Sequence, residues 1–200
     1  MTEILRDLSK QLVMEAMVAN NLDFIGLFKN APDVRASFEG DVSWFLTGIP
    51  FPLFNGVFRT NLTNDRADFV ISEILGKFQE RNMPMIWSVT PDSRPRDLGK
   101  RLEAHGLRHG GDLPSIAVDL FAVSEESDEQ NGLSIRLVQN SAELSSWCDA
   151  LIGIFKFPAF VSHALFNFLE MPGYDQDAPV KNYMGFENGK LVAVSSVLLA

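Results

Sequence analysis

The sequence predicts a mixed α/β protein, of the α+β type with a mixed sheet, arranged as two successive blocks. Three observations lead there. Apolar residues recur at helical spacing in some stretches and alternate in others. Helical and strand-like stretches follow each other without a long run of either. An acidic stretch with no large apolar residue, 124–132, separates two blocks that each contain helix, helix, strand, tight turn and strand. The expected organisation is therefore a first domain over 1–123, a linker over 124–132 and a second domain over 133–200.

In the first block, residues 2–20 are expected to form a helix with Ile4, Leu5, Leu8, Leu12 and Met17 on one face. A short helix over 22–28 follows and ends before Pro32. Strands are expected at 34–38 and 42–47, with turn chemistry supplied by Gly40 and Asp41. Pro50 and Pro52 make the next stretch a loop, because proline cannot donate to a sheet. A third strand covers 56–62. Asp65 is expected to cap a helix in which Ala67, Val70, Ile71, Ile74, Leu75 and Phe78 repeat at helical spacing. Residues 83–90 read as a buried strand, Pro95 opens another helix, and Gly106 closes it. Strands at 107–109 and 115–121, split by Gly110 and Gly111, complete the block.

The second block begins with a strand at 134–138. Asn140 and Glu143 stand at capping-box spacing ahead of a helix whose buried stripe is expected to be Leu144, Trp147, Leu151 and Ile154. A second helix covers 160–170. Strands at 181–186 and 191–199 are joined across Asn188-Gly189, a strong hairpin signal. The chain then stops on apolar residues, which leads us to expect a second domain cut short; a natural terminus covered by a partner is the competing reading.

Composition narrows the function. A hydrophobic fraction of 46% and 16 phenylalanines supply a core, so the chain is expected to be globular rather than disordered. A net charge of −9 without a basic stripe argues against nucleic acid and against anionic membrane surfaces. The small positive group of Arg94, Arg96, Lys100 and Arg101 reads as a solvated helix face. The N-terminus lacks signal-peptide features and no apolar run is long enough to span a bilayer, so a cytoplasmic location is expected. Cys148 is the single cysteine; it rules out an internal disulfide and a cysteine-based metal cluster, and it is expected to be a buried, inert thiol. His105, His109 and His163 are scattered, without metal-ligand spacing. Ser162 and His163 are helical neighbours that point apart, not parts of a triad. Asn61-Leu62-Thr63 matches a glycosylation acceptor by chance.

Four stretches carry a family likeness: 54–60 (FNGVFRT), 84–95 (PMIWSVTPDSRP), 97–107 (DLGKRLEAHGL) and 183–186 (YMGF). With the order of elements, they resemble the GNAT superfamily of acyl-CoA-dependent N-acyltransferases, in a tandem form with a degenerate first copy. The resemblance implies a GNAT-like N-terminal domain followed by an incomplete GNAT-like second domain. It implies transfer of an acyl group from acetyl-CoA, or another acyl-CoA, to a small-molecule amine in the complete protein. In that family an Arg/Gln-x-x-Gly-x-Gly/Ala loop opening a helix holds the pyrophosphate. The corresponding loop here, 61–66, has no glycine and places Asp65 where phosphate would sit. Arg94-Pro95-Arg96-Asp97-Leu98-Gly99 has the spacing, but Asp97 replaces the first glycine and Pro95 removes a donor. The second copy would carry its loop after Ala200. No cofactor is therefore expected on this chain, and no catalytic residue is assigned, because the family's usual acid comes from a later element.

For acceptor binding, the resemblance places Phe155, Phe157 and Phe160, with Phe166 and Phe168 nearby, as an apolar wall. Tyr183, Ser195 and Ser196 would add polar contacts. In the first copy Arg59, Asn61, Trp87 and Ser88 would line a cleft where two strands splay. Core packing is the competing role for both sets. The expected function is a piece of a GNAT-type acyltransferase, inactive alone; the alternative is a non-catalytic binding module for a small molecule or protein. Self-association is expected through the strand ending at Leu199, whose edge lacks cover.

Overall fold

A computed structural model describes residues 5–29, 31–123 and 132–198. They divide into two compact units, one running up to Ala117 and the other from Val118 onward.

The first unit opens with one helix, α1 (Lys10–Gly26), in place of the two expected. Leu5 and Leu8 precede it, and with Leu12 they stay exposed; Ile4 lies outside the described residues. The residue α1 does bury is Ile25, so the core contact lies at its C-terminal end. A four-stranded sheet follows in the order β1 (Arg35–Ser37), β2 (Val42–Leu46), β3 (Asn55–Thr60) and β4 (Ile86–Trp87). The first three strands are antiparallel, and β4 runs parallel to β3. Helix α2 (Ala67–Gln79) covers this sheet: Ala67, Ile74 and Phe78 bury against Val42, Leu46 and Val57, and Trp44 and Trp87 pack at the margin. Ile71 and Leu75, one step round the helix, bury against Leu98 and Leu102 of α3 (Leu98–Ala104). One helix thus serves two apolar surfaces because its stripe is wide.

The bend after β2 is held by Asn55, whose side chain is fully buried. Its Oδ1 accepts the backbone N–H of Thr47 at 2.9 Å, and its Nδ2 donates to the carbonyls of Ile49 and Phe51 at 2.8 and 3.0 Å. This satisfies the loop that Pro50 and Pro52 keep out of the sheet.

Three expectations need correction in this unit. Asp65 does not cap α2: the helix is entered at Arg66, and the Thr63 carbonyl takes the N–H groups of Arg66 and Ala67. The strand expected over 83–90 shrinks to two residues. After β4 the chain turns away from β3 in a turn closed by Thr90 and Ser93, whose Oγ accepts the Thr90 N–H at 2.9 Å. Finally, 107–109 and 115–121 form no strand; residues 120–122 make a single 3-10 turn. Leu113 and Ile116 are 94% and 88% exposed. Alternation shows which side chains could share a face, but a strand also needs a neighbour to take its backbone hydrogen bonds, and none is available among the described residues.

The second unit is a three-stranded antiparallel sheet in the order β5 (Leu133–Leu137), β6 (Val180–Glu187) and β7 (Lys190–Leu198). Helices α4 (Ser141–Phe155) and α5 (Phe160–Glu170) connect β5 to β6; α4 packs on β6 and β7, and α5 on α4. The capping box forms as expected: Asn140 Oδ1 accepts the Glu143 N–H at 3.0 Å. The Glu143 carboxylate reaches back one residue further, to the Gln139 N–H at 2.8 Å. The buried stripe of α4 is Leu144, Trp147, Cys148 and Ile152, whereas Ile154 is exposed. Asn188 and Gly189 both adopt positive φ, 50° and 75°, the conformation a two-residue hairpin turn demands. The turn between β1 and β2 is longer, so the two hairpins do not share one turn geometry. The far face of the sheet is open: Ile135 lies opposite Gly185, which lies opposite Ala193, and Ile135 is 67% exposed. The acidic stretch 124–131 and Leu199 lie outside the described residues.

Candidate functional site

The concave surface of the second unit lies between α4 and α5. Burying Leu144, Trp147, Cys148 and Ile152 turns a second stripe of α4, Ser141, Ser145 and Asp149, toward α5 at i, i+4 and i+8. Ala159, Ser162, His163 and Phe166 face it from α5, and the small side chains of Ala142 and Ala159 leave room between. The chain reverses between the helices through Lys156 in the left-handed region (φ 54°) and Pro158. The resulting open groove has a volume of about 500 Å³.

Its polar groups are partly tied. Ser162 Oγ donates to Asp149 Oδ1 at 2.6 Å, and Ser141 Oγ donates to Glu170 Oε1 at 2.5 Å. Asn167 Nδ2 donates to His163 Nε2 at 3.4 Å. Asp149 has no ion-pair partner among the described residues, and no lysine or arginine lines the groove. Behind it, burial, reinforced by the Asp149 charge, pushes the Cys148 thiol up to about 12. That makes Cys148 a packed apolar group rather than a nucleophile, as its sequence context predicts. Tyr174, which donates to Glu170 at 3.5 Å, also has its pKa raised, chiefly by burial. Among the described residues no cluster of His, Cys, Asp and Glu is arranged to hold a metal ion. No helix among them is long and apolar enough to cross a membrane.

The expected acceptor residues are scattered relative to this groove. Phe155, the last residue of α4, and Phe157 stack on each other with centroids 5.3 Å apart and planes 16° apart. Phe160 begins α5 and is half-exposed, while Phe168 is buried. Only Phe166 of the aromatic group lines the groove. Tyr183 and Ser195 are cross-strand partners, and their backbone carbonyls both accept the Trp147 indole N–H, at 3.1 and 3.2 Å. Ser196 Oγ donates to Asn182 Oδ1 at 2.5 Å. Sequence reasoning missed Ser141, Ser145, Asp149 and Ser162 as a set. The available signal was the polar i, i+4, i+8 stripe running beside Leu144 and Trp147.

In the first unit the expected cleft is narrow and occupied by the protein itself. Ser88 N–H donates to the Val57 carbonyl at 2.8 Å, and after the 89–93 turn Arg94 N–H returns to the Thr60 carbonyl at 3.0 Å. Leu62 N–H then reaches the Arg94 carbonyl at 3.1 Å, beside a parallel bridge between Asn61 and Arg94. Trp87 Nε1 donates to Thr60 Oγ1 at 3.0 Å across the gap. Arg59 Nη2 donates to the Gly40 carbonyl at 2.9 Å, and its Nε is buried without a partner among the described residues. The loop into α2 carries no glycine, and a hydrogen bond from Thr63 holds the exposed Asp65 carboxyl below the usual carboxylate range, keeping it negative. A pyrophosphate at that helix entry would meet a carboxylate instead of free N–H groups, so these residues do not fit a coenzyme A phosphate.

No family model matches the chain, and no curated protein matches it. Among solved structures it is similar to a GCN5-related N-acetyltransferase from Kribbella flavida, with a TM-score of 0.61 and 12% identity over 92% of this chain. The chain spans 66% of the length of that protein. The likeness shows a GNAT-type mixed α/β fold.

Proposed function

We propose that this chain is part of a GNAT-type acyltransferase in which the second unit binds the amine that receives the acyl group. The observation that carries this reading is the α4/α5 groove, with the Asp149 carboxylate free of any cation among the described residues, set in a GNAT-type fold. Asp149 would hold the ammonium form of the acceptor by a charge-assisted hydrogen bond. The first unit is a degenerate copy of the fold with a supporting role, and the acyl-CoA phosphates are held by residues other than those of 61–66. On this reading the 200-residue chain has no acyltransferase activity alone, works in the cytoplasm, and associates with itself through the outer edge of β7.

A second reading, a non-catalytic binding module, is favoured by one observation: the Trp87–Thr60 hydrogen bond closes the place where the cofactor would enter the first unit. The first reading requires an amine in the groove. Titrating the labelled chain with hexylamine and following backbone amide resonances tests this. Shifts at Ser145, Ser162 and His163 that vanish in Asp149→Asn are expected. An unmoved groove would contradict the acceptor reading.

A further inference from the structure

We infer that the outer edge of β7 takes residues 115–119 of a second copy of this chain as an added strand. The inference rests on the self-association reading above and names what pairs with that edge. Two unfilled elements carry it. The first is the edge. β7 pairs with β6 on one side and with no strand on the other among the described residues, so alternate residues along it point their backbone N–H and carbonyl outward. It offers nine residues, whereas β5, β1 and β4, which also end their sheets, offer five, three and two. The second is a strand without a sheet. Ser115-Ile116-Ala117-Val118-Asp119 alternates large apolar side chains with small or polar ones. Ile116 and Val118 are 88% and 65% exposed, and the backbone groups of 115–118 make no hydrogen bond among the described residues. Pro114 has no N–H to give. At Asp119 the chain turns: its carbonyl accepts the Ala122 N–H, and its carboxylate accepts the Phe121 N–H at 3.0 Å. The stretch free to pair is therefore these five residues, and β7 is long enough to hold all of them.

Each element supplies what the other lacks. Pairing gives both their missing backbone partners and sets Ile116 and Val118 side by side on one face of the enlarged sheet. Val194 and Leu198 of β7 lie opposite the buried Met184 and Val180 and are themselves half-buried, so an apolar pair added beyond them extends a covered face. Lys190 is the one charged residue of β7 and Asp119 the one of the segment, so no like charges meet in either strand direction. Within a single chain the two elements stand unpaired. Two copies that exchange them reciprocally fill both edges and both segments and leave nothing to recruit a third.

The test is amide hydrogen exchange on the full chain, dilute and concentrated, beside sedimentation velocity over the same range. The sedimenting species is expected to grow from monomer to dimer and stop there. With it, alternate amides within 115–119 and along the outer edge of β7 are expected to slow by about tenfold or more. Ile116→Pro removes a donor from an exposed stretch and is expected to weaken dimerisation about tenfold. The comparison across concentrations on the unaltered chain stands even if that variant folds poorly. A dimer in which 115–119 exchange as fast as in the dilute chain would overturn the role of the segment while leaving the edge reading intact. Slowing along β5 in place of β7 would overturn the choice of edge. Residues 115–119 already protected in the dilute monomer would overturn the second copy as the partner. Growth past the dimer would overturn reciprocal exchange, and a monomer at every concentration would overturn the self-association reading itself.

Discussion

The indole Nε1 of Trp87 stands 3.0 Å from Thr60 Oγ1, and Thr60 is buried. This bond spans the point where β4 leaves β3, so the gap in the sheet is filled by a hydrogen-bonded side chain. Replacing Thr60 by Val keeps the shape and removes the acceptor, leaving a half-buried indole N–H without a partner. Thr60→Val is expected to lower unfolding stability by about 1–2 kcal/mol. Urea denaturation measures this, and a midpoint shift within error of zero would show that the bond does not hold the gap.

Gly56 is required by the closeness of β3 and β4. A Cβ there would lie 2.7 Å from the Ile86 carbonyl oxygen and 2.9 Å from Ile86 Cγ1. Gly56→Ala must push the two strands apart where Gly56 and Val57 pair with Ile86 and Trp87, with an expected loss of about 1–3 kcal/mol. Gly76→Ala on α2, where a Cβ meets nothing within 4 Å, is the control and should stabilise by a few tenths to about 1 kcal/mol. Equal effects of the two substitutions in thermal melts would contradict the close approach.

Cys148 links burial to pH. Its thiol is pushed from an ordinary 9.0 to about 12 in the folded chain. The folded state favours the protonated form, so its contribution is fully present below pH 9 and fades as pH rises toward 12. Stability should therefore fall with pH over that window, and less steeply in Cys148→Ala after allowing for its cavity. Directly, the native thiol should resist an aromatic disulfide reagent at pH 8 and react within seconds once urea unfolds the chain. Fast labelling of the native chain would refute the buried placement.

The outer edge of β7 pairs with no strand among the described residues, and Val192 and Val197 are more than 40% exposed. Unpaired edges with apolar neighbours recruit further strands. Sedimentation velocity should show a rising weight-average coefficient with concentration, reduced in Val197→Lys. A strictly monomeric profile across the range would count against edge association.

Much of the fold was legible in the sequence where local chemistry is decisive. The Asn140–Glu143 box, the Asn188-Gly189 turn and the wide stripe of α2 each specify their geometry through neighbours in the chain. Residues 115–121 alternate like a strand but form none, because alternation fixes faces and not partners. Leu5, Leu8 and Leu12 share a periodic stripe yet stay exposed, because periodicity says nothing about whether a surface is present to receive it. The aromatic residues around Pro158 drew attention by bulk, yet Phe155 and Phe157 satisfy each other. The groove is not legible in the sequence because serines on a helix are common, and the facing of α4 by α5 is what brings Ser162 to Asp149.

On the proposed reading the α4/α5 groove takes an amine, whereas the 61–66 loop, with Asp65 at the helix entry and no glycine, offers coenzyme A no phosphate cradle. Isothermal titration of the 200-residue chain with acetyl-CoA tests this most directly. No saturable heat at micromolar concentrations is the expected result. A one-to-one isotherm with micromolar affinity, abolished by a substitution at Asp65 or Arg66, would contradict it.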